Sequence, residues 1–324
     1  MTTINKSAKI LVIGGSSLDT LTIKGKDHSS PGGAGLYTAL AAAKSGADVT
    51  LLAPFPSPVP ATLLEFSAHV KWIGPEVSPD ELPRFHIVHA NGETKYKRSF
   101  FGAEGAMTAE DLPDNFSEYD LVHLVPLGNT IKQLEFINIC RKRNAELISA
   151  GTGKPLIEQE HELVKDVIQA SDIFFMNEEE ANAVFPENTE FRFATGKHIF
   201  VTKGKNGASF FLGEYQYLLD PKQVNVLDPT GAGDAFCGAT ISGIAQGEHP
   251  VKAAMSASVL ASEVIKAVGP EKLYIKSKIR TNKINARVLV NHDQVQQTAK
   301  LIPDLRRKTL IISLIPHCPL LLIH

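Results

Sequence analysis

Cysteine is scarce in this chain: Cys140, Cys237 and Cys318 are three in 324 residues, far apart and in no CxxC pair. That argues against a disulfide framework and for reduced thiols in a cytosolic protein. Charge of one sign is missing too. A net charge of −2 builds no global positive field, so neither nucleic acid nor an anionic membrane is an expected partner. The most apolar stretch, 309–324, is too short to span a bilayer and is broken by Pro316, His317 and Pro319. An edge strand or a loosely ordered tail is expected there. The opening residues, MTTINKSAKILVIGG, show no charged region followed by a long apolar run and a cleavage site, so a cytoplasmic location is expected.

Two nucleotide-binding fingerprints are also lacking. No GxGxxG follows the first strand pattern or occurs elsewhere, which argues against a dinucleotide oxidoreductase. No GxxxxGK[ST] exists either, since GTGKP at 151–155 has the wrong spacing and a proline after its lysine.

What is present is alternation. KILVIG (9–14) reads as a buried strand, 36–46 as an Ala-rich helix stopping at Gly46, and VTLLA (49–53) as the next strand. The rhythm returns with strands at 120–125, 145–149, 172–176, 198–202 and 208–212. Helices are expected near 130–143, 156–170, 178–184, 232–246, 250–267 and 291–302. Such alternation implies a mostly parallel sheet with helices on both faces. One segment departs from it: RFHIVHANGETKYKRSF (84–100) sets two alternating runs around Asn91-Gly92, a hairpin signal, and reads as a flap leaving the core.

The chemistry concentrates in VNVLDPTGAGDAFCGATISGIAQG (224–247). Gly231, Ala232 and Gly233 lie where a helix begins, so unobstructed backbone amides and the positive helix end converge on one point. Such a point stabilises an anion. Asp234, in the first turn, is placed to accept the proton of an attacking hydroxyl. Alone, GAGD is equally a common Gly-rich turn with an acidic helix start.

The whole string DPTGAGDAF resembles the signature of the ribokinase-like (PfkB) kinases. The resemblance runs in order over residues 9–302. PGGAGLYTALAAAKSGADVTLLA (31–53) resembles the family's N-terminal glycine motif, MNEEEANAVF (176–185) its NxxE motif, and VTKGKNGASFF (201–211) its TxGxxG turn. It implies an α/β ribokinase-like fold, with a kinase domain over 1–306, a β-hairpin lid near 84–101 and a tail over 307–324. It further implies Asp234 as catalytic base and Gly231, Ala232 and Gly233 as anion hole. Asp19, Gly32, Gly33 and Tyr37 would bind substrate; Thr202, Gly204, Gly207 and Asp228 would line ATP. Asn177 and Glu180 would hold Mg²⁺ through water, and Asp228 matches a position that supports the loop and, in some members, a monovalent-cation site such as one for K⁺. Adenine would sit against 256–269. Alternatives stand beside these roles: Asp19 as a structural cap, Asn177 and Glu180 as a helix start, and Tyr37 either stacking on a ring or facing the core from its helix. The implied acceptor is a small sugar, a nucleoside or a cyclitol, with monomer and homodimer both open; a non-catalytic sugar sensor on the same fold is the alternative.

The chain departs from the family where many sugar kinases carry Asn and ribokinases Lys: Tyr37 and Ala34 stand there. A phenol cannot reproduce an amide's paired donor and acceptor, which argues against ribose. Only twelve residues separate Asp19 from Pro31 (31 − 19 = 12), so the lid is expected to be mostly the 84–100 hairpin.

Overall fold

The chain opens on β1 (Lys9–Ile13), whose KILVI run is almost wholly buried, as a central parallel strand requires. The computed structural model describes residues 7–90, 93–186, 196–213, 215–274, 286–289, 311–315 and 318–323. After β1 come β2 (Ser17–Ile23), β3 (Lys26–Gly32), α1 (Ala34–Lys44), β4 (Asp48–Leu52) and β5 (Phe55–Pro56). Next are α2 (Ala61–Ser67), β6 (Lys71–Ile73), β7 (Glu76–Val77), β8 (Arg84–Ala90) and β9 (Glu93–Phe100). The middle alternates regularly through β10 (Leu121–Leu124), α3 (Thr130–Lys142), β11 (Ile148–Gly151), α4 (Lys154–Ala170), β12 (Ile173–Asn177) and α5 (Glu178–Val184). Then follow β13 (His198–Thr202), β14 (Ala208–Leu212), β15 (Tyr215–Leu219), α6 (Ala232–Ala245), α7 (Pro250–Val264) and α8 (Glu271–Tyr274). The last described elements are β16 (Ala286–Leu289), β17 (Ile311–Ile315) and β18 (Cys318–Ile323).

The main sheet has the order β17-β18-β16-β15-β14-β13-β12-β11-β10-β1-β4-β6. From β6 to β13 every pair is parallel; from β13 outward every pair is antiparallel. The expected mostly parallel α/β sheet is therefore present, and the apolar C-terminal segment supplies two strands to its antiparallel edge. The helix expected near 291–302 lies outside the described residues. Helix α6 packs between α1 and α7, while α3, α4 and α5 pack in sequence. The strand order reverses at β1, whose neighbours are β10 on one side and β4 on the other. That switch point opens a crevice beyond the carboxyl ends of the strands.

A ladder of aromatic rings stiffens the sheet beneath that crevice. Phe175, Phe200, Phe210 and Tyr217 face one another across β12, β13, β14 and β15, stacked at 4.9, 4.5 and 5.5 Å between centroids. Phe236 of α6 stands edge-on to Phe175 and Phe200 at 6.3 and 6.2 Å, pinning the first turn of that helix to the sheet. At the opposite edge the single tryptophan, Trp72, packs edge-on against Phe55 and Phe66 and donates from Nε1 to the Ala53 carbonyl at 3.3 Å.

The lid is a separate sheet of order β3-β2-β8-β9. Its second half is the expected hairpin, although the Asn91-Gly92 turn itself lies outside the described residues. Its first half corrects the expectation that too little chain was available. Residues 17–32 fold into a full hairpin closed by Lys24-Gly25, both at positive φ, the geometry of a two-residue turn. One lid face carries Asp19, Leu21, Phe85, Ile87 and His89; Leu21, Ile23 and Ile87 form a small core there with Leu227 and Val268. The lid is thereby seated over the segment that leads into α6.

Candidate active site

Three walls converge at the crevice. The first is the start of α6. Gly231 caps it with φ 71°, and a Cβ there would run into the ring of Tyr37, so both backbone and space demand glycine. The Ala232 amide turns back to the Pro229 carbonyl at 3.3 Å. Asp234 sits in the first turn, half-buried. Burial raises its carboxyl to about 7, against a smaller opposing pull from its own amide.

The second wall joins β2, β3 and the turn into α1. Asp19 is buried, its Oδ1 accepting from the Phe85 amide at 3.2 Å. Burial lifts it to about 6, with the Ser17 hydroxyl and that amide pulling the other way. Gly32, the register partner of Ser17, lies against it: any Cβ would overlap the Asp19 carboxylate. Gly33, at φ 95°, leaves no room for a side chain beside the Gly15 carbonyl. Asp19, Gly32 and Gly33 thus share one surface, and the buried hydroxyl of Ser16 beside Gly33 has no protein partner.

The third wall is the carboxyl edge of β12 and β13, where Asn177 and Thr202 are register partners. Asn177 and Glu180 form a reciprocal helix cap: Asn177 Oδ1 accepts from the Glu180 amide at 2.9 Å, and Glu180 Oε2 from the Asn177 amide at 2.8 Å. Burial lifts Glu180 to about 7; among the lesser causes, the charge of Asp234 adds to the rise. A carboxylate that feels a second one across a cleft is a fitting place for a hydrated divalent cation. Gly204 has φ 52° and open space around it, whereas Gly207 is needed because β15 passes too close for a side chain.

Two sequence expectations find different settings. Tyr37 is 1% exposed, its ring beneath Gly231 and its hydroxyl without a protein partner. It packs as floor of the anion-hole turn. Asp228 is also fully committed: Oδ2 accepts from the Gly269 amide at 2.7 Å and Oδ1 from the Thr230 amide at 2.9 Å. His89 Nε2 of the lid stands 3.2 Å from the same Oδ1 and 2.8 Å from Thr230 Oγ1. With these donors in place, the residues around Asp228 fit a loop support better than a monovalent-cation cage. Lys266, in the segment expected to meet adenine, lines an open depression with Gln223, Val224 and Asn225.

Sequence reasoning missed His89 and also Glu104, which follows β9. Glu104 Oε1 accepts from the Gly15 amide at 2.8 Å, on the side of Gly15 away from Gly33. Burial raises its carboxyl to about 7. The pair reaches the site through tertiary folding, over separations of 89 and 141 residues, and neither sits in a motif.

A glycine-rich helix start with a raised carboxyl in its first turn, beside a small lid sheet, is an arrangement that suits a small-molecule kinase. The family model for pfkB family carbohydrate kinases matches residues 15–276, and the chain belongs to that family. It is 24% identical over 270 residues to a cytidine kinase of Thermococcus kodakarensis, covering 80% of this chain and 97% of that protein. To a ribokinase of Bacillus subtilis it is 25% identical over 262 residues, covering 74% and 86%. Its fold superposes on a ribokinase of Cryptococcus neoformans in complex with ADP with TM-score 0.70, 18% identity and coverage of 83% and 97%.

Proposed function

We propose that this kinase transfers the γ-phosphoryl group of ATP to a hydroxyl of a polyhydroxylated small molecule, with Asp234 as the base. The observation that carries this reading is the Asp234 carboxyl: raised to about 7, it stands in the same helix turn whose amides would face the phosphate. A base held near neutrality is half ionised at working pH and ready to take a proton.

Asp19 and the backbone at Gly32 and Gly33 orient the acceptor, bringing one hydroxyl to Asp234. The hydroxyl oxygen attacks the γ-phosphorus and a new O–P bond forms. The bond to the bridging oxygen of ADP breaks, and the hydroxyl proton passes to Asp234 Oδ. Amides at the start of α6 receive the charge that develops on the transferring group, in a site covered by the lid. Thr202 and Gly204 flank the phosphates, and the depression lined by Gln223 and Lys266 receives adenine. Asn177 and Glu180 would hold Mg²⁺ through its waters, which supplies charge neutralisation at the phosphates. Asp228 and His89 keep the loop before α6 in place, and the reading requires no monovalent cation.

The relatives named for cytidine and ribose support a sugar or nucleoside acceptor. Cys140 and Cys237 are buried and not joined in a disulfide, which fits a cytoplasmic setting. The test is a coupled ADP-release screen of the full chain against sugars, nucleosides and inositols, with Asp234→Asn as the comparison. The variant should lose roughly 10²–10⁴-fold in kcat while its KM for ATP changes little. Undiminished turnover by Asp234→Asn would remove the base assignment.

A further inference from the structure

Beside Asp19 the cleft wall changes character. Phe85, whose amide holds Asp19, is flanked edge-on by Tyr96 at 6.1 Å and by Phe101 at 5.6 Å between centroids. The outer two rings are unusually open: Tyr96 is 64% and Phe101 55% exposed. Large aromatic side chains gathered in one exposed cluster mark a binding surface more often than a solvated one.

The cluster faces the cleft. Tyr96 is the register partner of Ile87, and Phe85 and Ile87 lie on the lid face that covers Leu227 and Val268. Asp234, Asp19 and Glu180 all lie near enough for their charges to reach the tyrosine hydroxyl. Phe101 reaches the loop after β10, against Gly128. The rings therefore continue the acceptor pocket outward from Asp19.

A free sugar has little use for such a wall. Its hydroxyls need donors and acceptors, which Asp19 and Ser16 offer deeper in; three aromatic rings offer a flat apolar partner with π-faces. We infer that the acceptor is a nucleoside, its sugar hydroxyls on Asp19 and its planar base against Phe85, Tyr96 and Phe101. This rests on the phosphotransfer reading above, and it adds the substrate class.

The experiment compares kinetics of the full chain, with ATP and Mg²⁺, on purine and pyrimidine nucleosides and on free pentoses, hexoses and inositol. Nucleosides should show the lowest KM. Tyr96→Ala and Phe101→Ala remove exposed rings and leave the core intact. Each should raise the KM for the nucleoside relative to that for a free pentose by roughly 5- to 100-fold, with a smaller effect on kcat. Calorimetric titration of Asp234→Asn with the same nucleoside should show binding that the added Tyr96→Ala change weakens by a similar factor. Sugars turned over while nucleosides stay inert would overturn the proposal and leave the kinase reading standing. A shift in KM equal for pentose and nucleoside would also overturn it. So would a concentration-dependent dimer that Tyr96→Ala dissolves without changing the KM ratio, since the rings would then serve a second copy of the chain. Absence of ADP release with every acceptor would sink both readings.

Discussion

At the scale of single residues, the site is governed by carboxyl groups held out of water. As the proposed base, Asp234 would have to be ionised to act, and in the free enzyme its carboxyl stands at about 7. Expected kcat/KM therefore rises with pH through neutrality, falling on the acid side by roughly tenfold per unit below that point. A pH–rate profile flat from pH 5 to 8 would contradict the role. The same groups bear on stability with a definite sign. Glu104, Glu180 and Asp234 all stand at about 7 in the fold, far above their ordinary values, so the folded protein holds protons that the unfolded chain has already released. The stability they contribute is complete below about pH 4 and is lost as pH rises through 7. His123, pushed down to about 3 by burial, acts in the opposite direction only below about pH 6.5. Calorimetry should thus find the ligand-free Tm falling between pH 6.5 and 8, with Glu104→Gln flattening that slope. A Tm constant across the interval would refute it.

At the scale of elements, the motif works because Phe236 fastens its helix to the ring ladder. Truncation to Ala leaves the first turn of α6 without its contacts to Phe175 and Phe200. A loss of roughly 3–5 kcal/mol is expected, read as a lower urea midpoint at unchanged slope. A variant with wild-type stability would show that the anchor is elsewhere. The parallel strands and both neighbours of the glycine turn were readable from β-branched runs and helix starts, because those signals are local. The first lid hairpin was not. Its turn, Lys24-Gly25, lacks the Asn or Asp that announces a two-residue loop, and only the folded register exposes it. Tyr37 was open for a related reason: its position in the glycine motif allows both pocket and core, and only the fold shows helix α1 turning the ring beneath Gly231.

At the scale of the whole molecule, the catalytic motif was legible and the pocket was not. Asp234 and its glycines are contiguous, so one helix start carries them together. Glu104, His89, Tyr96 and Phe101 come from the lid and the chain after it, brought in by a sheet whose strands pair across the sequence. The proposed acceptor contacts belong to those long-range neighbours.

The lone indole at Trp72 sets how this enzyme can be watched. Wedged between Phe55 and Phe66 on the rim of the main sheet, two strands from β1, it has no part in the cleft. Intrinsic emission excited through tryptophan will report melting of that rim and stay nearly silent to nucleotide or acceptor. An optical probe of occupancy has to be installed, and the exposed ring positions of the lid are where a reporter would feel the ligand arrive.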